Sequence, residues 1–409
     1  CCEHRLFPSP TVGGSLASHP RRLRKAPQIR PSCAASMAAA AAAGDSGEQP
    51  LLHLKLAFLA LEPPACVLTL ARKAGGGSVT PHVQNFILEN CVGTNVGGGP
   101  DCTYVKTILK KVIAEAELSS DIVIDELYEE FGRCMSSRAN NPELSLAKIY
   151  KEISFLSPAY ENVSSNPVSL VARLLCSTNM LEGDTGCCLW PSSLFLSEFI
   201  LSFPELFAKK CCFELGSGVG LVGVCLNHVG ASKVILTDGD ASTLTNMKAN
   251  MEMNNLHIED SQLVKESKNK VECKYLSWEE ACESDLRDYQ RDIVLGADII
   301  YNPSCVPHLV RVLCMLLRGD DGRHESVNAA TNGEIGDEVS GTTATGGPVA
   351  YIATVIRNAD TFNCFAKAAA DAKLSVVNIT SSAAPSSFLP YMISYDRSSV
   401  QLLKITLLS

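Results

Sequence analysis

Apolar residues follow a helical beat over the early part of the chain, then break into short runs spaced by longer amphipathic stretches. From Leu51 to about Leu156 they recur at i, i+3/4 and i+7. Examples are Tyr104-Val-Lys-Thr-Ile-Leu-Lys-Lys-Val-Ile-Ala114, Asp121-Ile-Val-Ile-Asp-Glu-Leu-Tyr-Glu-Glu-Phe131 and Leu144-Ser-Leu-Ala-Lys-Ile-Tyr-Lys-Glu-Ile-Ser154. Gly75–Gly77 and Gly97–Gly99 interrupt this pattern as loops. After a transition over 160–190 and an apolar helix from Leu194 to Phe203, strands are predicted at 211–215, 233–238, 271–276, 292–298, 349–356, 374–379 and 399–408. Helices are predicted between them at 220–229, 241–253, 304–317 and 360–372. Such alternation implies an α/β fold, a parallel sheet of seven strands with helices on both faces, preceded by an all-helical module.

The division expected is a disordered leader over 1–50, a helical module over 51–160 and an α/β domain over 161–409 with a mobile, polar insert at 319–347. Residues 1–36 hold Arg5, Arg21, Arg22, Arg24, Lys25 and Arg30 against the single acid Glu3. An Arg-rich, acid-poor stretch suits an organelle transit peptide. With Cys1 at position 1 and an ordinary-looking start at Met37, translated upstream sequence is the favoured reading.

Composition narrows the class. Hydrophobic residues make up 46% and charged residues 19%, enough apolar surface for a core. The 35 Lys and Arg against 44 Asp and Glu leave a net charge of −9, and the part after the leader is more acidic still. An acidic body argues against direct nucleic-acid binding and favours a basic or lysine-bearing protein partner. Leu51–Leu70 is the nearest approach to a membrane span, but His53, Lys55, Glu62 and Pro63-Pro64 exclude it. The 18 cysteines show no C-x-x-C spacing, which points to a reducing compartment and no metal site.

Candidate chemistry concentrates in Cys212-Phe-Glu-Leu-Gly-Ser-Gly-Val-Gly220. A buried strand ends in Glu214 and breaks into Gly216, Ser217, Gly218 and Gly220, a loop able to cradle a nucleoside. Gly218-Val-Gly-Leu-Val-Gly223 also satisfies the dinucleotide fingerprint G-x-G-x-x-G. A carboxylate ahead of the glycines would repel a pyrophosphate, and that favours S-adenosylmethionine over a nicotinamide or flavin dinucleotide. Asp238, ending the next strand, is placed for ribose hydroxyls. Trp190 and Trp278 are candidate apolar walls for an adenine, with ordinary core packing the alternative for each. Asn250 and Asn254 are expected to cap or end a helix.

Asp292-Ile-Val-Leu-Gly-Ala-Asp-Ile-Ile-Tyr-Asn-Pro303 supplies the second set. Asp298 could hold an incoming amine by charge and hydrogen bonding, with Tyr301 as an aromatic channel wall; the alternative for Asp298 is a cap on the following helix. Asn302-Pro303-Ser-Cys305 is a poor match to the Asn/Asp-Pro-Pro-aromatic loop of enzymes that methylate adenine or glutamine nitrogen. No hydride-handling partner is evident around His228, His257 or His308, which weakens an oxidoreductase reading. Intact glycines and acids weaken that of a non-catalytic interaction module.

Together, Thr185-Gly186 with Trp190, Glu214-Leu-Gly-Ser-Gly218, Thr237-Asp238, Trp278 and Ala297-Asp298-Ile-Ile-Tyr301 resemble the seven-strand, D-x-x-Y class of protein-lysine methyltransferases. Asp125-Glu-Leu-Tyr128 and Tyr351-Ile-Ala-Thr-Val-Ile-Arg-Asn358 draw the resemblance toward the elongation factor 2 lysine methyltransferases, over roughly residues 50–408. The resemblance implies a cytosolic, monomeric enzyme that methylates a lysine of translation elongation factor 2 with S-adenosylmethionine. Another protein lysine, or an amide or adenine nitrogen, is the alternative acceptor. It further implies that Trp190, Gly216, Ser217, Gly218, Trp278 and Ala297 line the cofactor site, that Asp238 holds the ribose, and that Asp298 and Tyr301 shape the lysine channel. The insert after Gly319 and the Cys-Phe before Glu214 depart from the family pattern.

Overall fold

A computed structural model describes residues 48–92, 102–119, 122–136, 148–158, 167–177, 185–258, 270–287, 289, 291–318 and 347–408. The leader up to residue 47, the Gly97–Gly99 loop, residues 160–166 and 178–184 of the transition and the 319–346 part of the insert lie outside these residues. The described part belongs to one unit, Gly47–Ser409.

The helical beat of the early chain produces α1 (Glu48–Leu59), α2 (Pro64–Ala74), α3 (Pro81–Ile87), α4 (Cys102–Leu118) and α5 (Asp125–Ser136). Pro64 and Pro81 open α2 and α3 where no intrahelical N–H partner exists, so the fixed proline φ costs nothing there. The stretch expected to continue as a helix departs from the pattern. Ile149–Leu156 is β1, paired antiparallel with β2 (Val168–Cys176). Its Ile149/Ile153 spacing fits a helix locally, but Ile, Tyr and Phe are also good strand formers, and the distant partner Val168–Cys176 decides the outcome. Ile153 and Phe155 are fully buried on the result.

From Pro191 onward the predicted alternation appears with shifts of a residue or two. The order is α6 (Pro191–Ser202), α7 (Pro204–Phe207), β3 (Cys211–Leu215), α8 (Leu221–His228), β4 (Lys233–Asp238), α9 (Ala241–Met253), β5 (Lys270–Tyr275), α10 (Glu283–Arg287), β6 (Ile293–Ala297), α11 (Val306–Leu317), β7 (Val349–Val355), α12 (Ala359–Asp371), β8 (Leu374–Asn378) and β9 (Val400–Leu407). The sheet has seven strands in the order β5-β4-β3-β6-β7-β9-β8. It is mixed rather than parallel throughout. The first five strands run parallel, while β9 lies antiparallel between β7 and β8. A connection from β8 back to a neighbouring slot needs no helical crossover if the strand direction reverses.

Strand alternation sorts side chains into two cores. Cys212, Leu236, Leu295, Ala353 and Leu402 face α6, α8 and α9, in a core continuous with the N-terminal helices. Phe213, Ile235, Val294, Ile352 and Leu403 face α11 and α12. Glu214, two residues from Cys212, therefore points to the α6–α8 side. Buried acids tie the chain's ends to this body. Ser394 donates from N–H and Oγ to the Glu62 carboxylate at 2.9 and 2.7 Å, and Glu198 on α6 accepts from Phe388 N, Tyr395 Oη and Arg397 Nη1 at 2.8, 3.2 and 3.3 Å.

An amide ladder fastens the β1–β2 hairpin to the α/β body. Asn246, Asn250 and Asn254 recur every four residues on one face of α9. Asn250 Oδ1 accepts from Leu175 N at 2.7 Å, and Asn254 Oδ1 accepts from Arg173 N at 2.9 Å. Their Nδ2 groups, and that of Asn246, donate to the carbonyls of Leu175 and Arg173 at 2.7–3.2 Å. Asn254 also ends α9, as expected, whereas Asn250 is buried mid-helix and donates to Val219 O in the glycine loop at 2.9 Å. Among the described residues no helix is long and apolar enough to cross a membrane.

Candidate active site at the carboxyl ends of the parallel strands

The site residues gather where parallel strands end, the edge at which such sheets bind ligands. β3 runs into Gly216, Gly218 and Gly220, all with positive φ, before α8 begins. A Cβ on Gly216 (φ +62°) would lie 3.0 Å from Ile299 Cγ2 and 3.5 Å from the Trp278 ring. One on Gly218 (φ +54°) would lie 2.9 Å from Gly186 O. The loop therefore needs glycine both for its backbone and for the close approach of its walls. Ser217 pins it to β4: its N–H donates to Thr237 O at 2.9 Å, and its Oγ accepts from Thr237 N at 3.1 Å. Thr237 Oγ1 in turn donates to Glu214 O at 2.7 Å. The Ser217 hydroxyl is thus consumed within the fold, so its contribution to a ligand would come from loop shape.

Glu214 is only 1% exposed, and its Oε2 has no hydrogen-bond partner among the described residues. Burial above all, with help from the nearby Asp238 charge and against hydrogen bonding from Ser217, pushes its carboxyl up to about 8. A buried carboxylate is costly unless a cation or donor meets it. Asp238 is half-buried, and burial raises its carboxyl as well. Its Oδ2 accepts from Gly218 N and its Oδ1 from Asp240 N, both at 3.1 Å. Asp240 is the N-cap of α9, accepting from Thr243 N.

Both tryptophans flank the loop. Trp278 lies over Gly216, and Arg311 on α11 donates to the carbonyls of Trp278 and Glu279 at 2.8 and 2.9 Å, fixing that turn. Trp190 precedes α6 and donates from Nε1 to Thr185 O at 3.0 Å, beside the Gly186 carbonyl that closes on Gly218. Ala297 ends β6 opposite Ala353.

Asp298 follows with φ +56°, a left-handed conformation Asp tolerates better than most residues. It does not cap α11, which starts at Val306 after Cys305. Instead Oδ1 accepts from Val355 N and Arg357 Nη1, each at 3.1 Å, and Oδ2 accepts from Arg357 Nη2 at 3.0 Å. The Arg357 guanidinium also lies 5.1 Å from the Trp190 ring centroid. Nothing in the sequence pattern marks Arg357 as the partner of Asp298; an arginine just past a strand end is the only signal. Tyr301 stands 60% exposed at the rim. Asn302 Oδ1 accepts from Ser304 N at 3.0 Å, so its side chain serves a local turn.

A family model described as lysine methyltransferase matches residues 172–326, which span the glycine loop, Asp238, Trp278, Asp298 and Tyr301. This stretch belongs to the lysine methyltransferase family. The chain is similar to an uncharacterised protein of Dictyostelium discoideum, 36% identical over 54% of the chain and 59% of that relative. The protein-lysine N-methyltransferases EEF2KMT of Mus musculus and Homo sapiens are each 26% identical. They align over 65% and 52% of the chain, and over 68% and 60% of their own lengths. The chain thus spans about three fifths of the length of two of these curated relatives.

S-adenosylmethionine is the cofactor of such a domain, and the residues present fit it. The unpartnered Glu214 oxygen suits an ammonium group, the glycine cradle admits no side chain, and Asp238 offers acceptors at the next strand end.

Proposed function

We propose that the chain is a protein-lysine N-methyltransferase that uses S-adenosylmethionine to methylate translation elongation factor 2 in the cytosol. The observation that carries the reading is a buried carboxyl group with one oxygen unpartnered among the described residues, at the head of a glycine loop, with a second acid ending the neighbouring strand. A pyrophosphate-binding loop would place no such charge there, which disfavours a dinucleotide enzyme. The acceptor rests on the family matched and on relatives named EEF2KMT, supported by an acidic chain that suits a basic protein surface better than a nucleic acid.

In this reading Glu214, Gly216, Ser217, Gly218, Asp238, Trp190, Trp278 and Ala297 hold the cofactor, which supplies a methyl group bound to a positively charged sulfur. An unperturbed lysine titrates near pH 10.4, so its ammonium must first release a proton, here to solvent. The amine lone pair then forms the N–C bond as the C–S bond breaks with its electron pair passing to sulfur. Proximity and alignment do most of the work in such a displacement. Tyr301 lines the entrance, where its ring attracts the approaching cation. The Asp298 region shapes the channel beneath it. The protein acts as a monomer in this proposal.

Labelled-methyl transfer from S-adenosylmethionine into a cytosolic lysate, with mass spectrometry of the labelled protein, tests the reading. Label on a lysine of elongation factor 2 is expected. Label on another protein's lysine would overturn the acceptor alone, and label on glutamine or nucleic acid would overturn the lysine reading.

A further inference from the structure

Asp298, the expected wall of the lysine channel, has a carboxylate that is already engaged. Its side chain is 5% exposed and three donors engage its two oxygens: Val355 N, Arg357 Nη1 and Arg357 Nη2. A bidentate guanidinium on a buried carboxylate is among the stronger side-chain pairs, and removing one partner strands the other charge. A lysine ammonium, a single point of charge, has no geometric means of displacing that fork. The outer face of Arg357 rests on Trp190, so three side chains from three segments form one unit: the strand end after β6, the strand end after β7 and the entry to α6.

We infer that Arg357 is a positioning residue that cancels the charge of Asp298 and locks it to Trp190, so that the channel takes the lysine amine without its proton. This rests on the methyltransferase reading and deepens it. An unpaired carboxylate within about 4–6 Å of an amine favours the ammonium by 1–3 pH units, the wrong direction for a nucleophile. Paired with Arg357, the same carboxylate keeps its shape and presents no net charge. The left-handed backbone at Asp298 is held by the same contacts, since Asp298 N also donates to Ala353 O at 2.9 Å.

Other titratable groups bear on the channel. Tyr301 follows β6, and burial first, then Cys305 ahead of α11 and Asp238 from β4, hold its hydroxyl above the usual range. Asp360 sits in the first turn of α12, and Glu214 lies beneath the loop. On the Trp190 side are Cys187 and Cys188, while the first turn of α6 holds no charged residue. All of these remain in the variants below, so a change in pH profile reports on the Asp298–Arg357 pair.

The test compares Arg357→Met and Arg357→Lys with the unaltered chain in methyl transfer across pH 7 to 10. For Arg357→Met, turnover is expected to fall at least about 10-fold near pH 7.5 and to recover toward pH 10, with KM for the protein acceptor unchanged or lower. Arg357→Lys, which keeps the positive charge but not the fork, should show a smaller loss and a flatter pH dependence than Arg357→Met. Equal loss at every pH, or no loss, overturns the inference.

A second arm needs no activity. In a Trp278→Phe background Trp190 is the sole tryptophan. Asp298→Asn and Arg357→Met should each change its emission, and the double variant should add nothing further. Unchanged emission in both overturns the lock. If the unaltered chain transfers no methyl group, the methyltransferase reading fails, and the emission arm alone decides whether the pair holds Trp190.

Discussion

Replacing Glu214 by Gln separates what the fold wants at this position from what the proposed chemistry wants. The carboxyl has an ordinary value of 4.5 and is pushed up to about 8 in the fold, chiefly by burial. A raised folded value means that the protonated form is the one the fold prefers. The associated stability is fully present below pH 4.5 and is lost as pH rises through 8. Each pH unit inside that window costs about 1.36 kcal/mol per proton, so this group alone removes on the order of 3 kcal/mol between pH 5 and pH 7. Gln has the same shape and no proton to lose. Urea denaturation of both proteins at pH 5, 6, 7 and 8 should therefore show Glu214→Gln losing less stability over this range, by an amount of that order. Cofactor binding should move the opposite way. An ammonium that meets Glu214 favours the ionised form, so binding near pH 7 should release about one proton, read by calorimetry in buffers of different ionisation enthalpy. Glu214→Gln should abolish that release and weaken binding about 10- to 100-fold, the worth of a charged hydrogen bond. Parallel pH–stability curves for the two proteins would refute the reasoning.

Other perturbations probe separate links. Gly218→Ala must place a side chain at φ +54° and 2.9 Å from Gly186 O; with about 1–2 kcal/mol of left-handed strain before that clash, S-adenosylmethionine affinity should fall about 10-fold or more, and unchanged calorimetry would count against the cradle. Gly218→Arg should abolish binding altogether. Asp298→Ala should retain cofactor binding and lose transfer to lysine, and full turnover would show that the channel does not need it. Asn250→Ala removes three hydrogen bonds and orphans backbone groups of Leu175 and Val219, a loss of about 2–4 kcal/mol in urea denaturation with faster hydrogen exchange at Leu175.

Much of the α/β half was legible because its signals are local. Apolar runs ending at an acid marked β3, β4 and β6, with glycine following in the first two, and every strand of the seven fell within a residue or two of expectation. What escaped depended on distant partners. Ile149–Leu156 carries apolar spacing compatible with a helix, and only Val168–Cys176 makes it a strand. The reversal of β9 between β7 and β8 leaves no mark on its own alternation. Asp298 was singled out from its place at a strand end, but a residue 59 positions later determines its electrostatic state. Likewise Asn250 read as a helix-end residue because Asn is common there; its three bonds to the hairpin and the loop are visible only when α9 is packed.

The spacing of Asn246, Asn250 and Asn254 has a bearing on solubility. A hairpin paired on one side has a row of open N–H and C=O groups on the other, a template that foreign strands can extend into aggregates. In this chain α9 meets that row at Arg173 and Leu175 with side-chain carboxamides, helix against strand edge. Such a seal guards the margin of a small sheet without adding a strand. Damage to it, by mutation or by slow deamidation, would expose an adhesive border and, at Asn250, loosen the glycine loop as well.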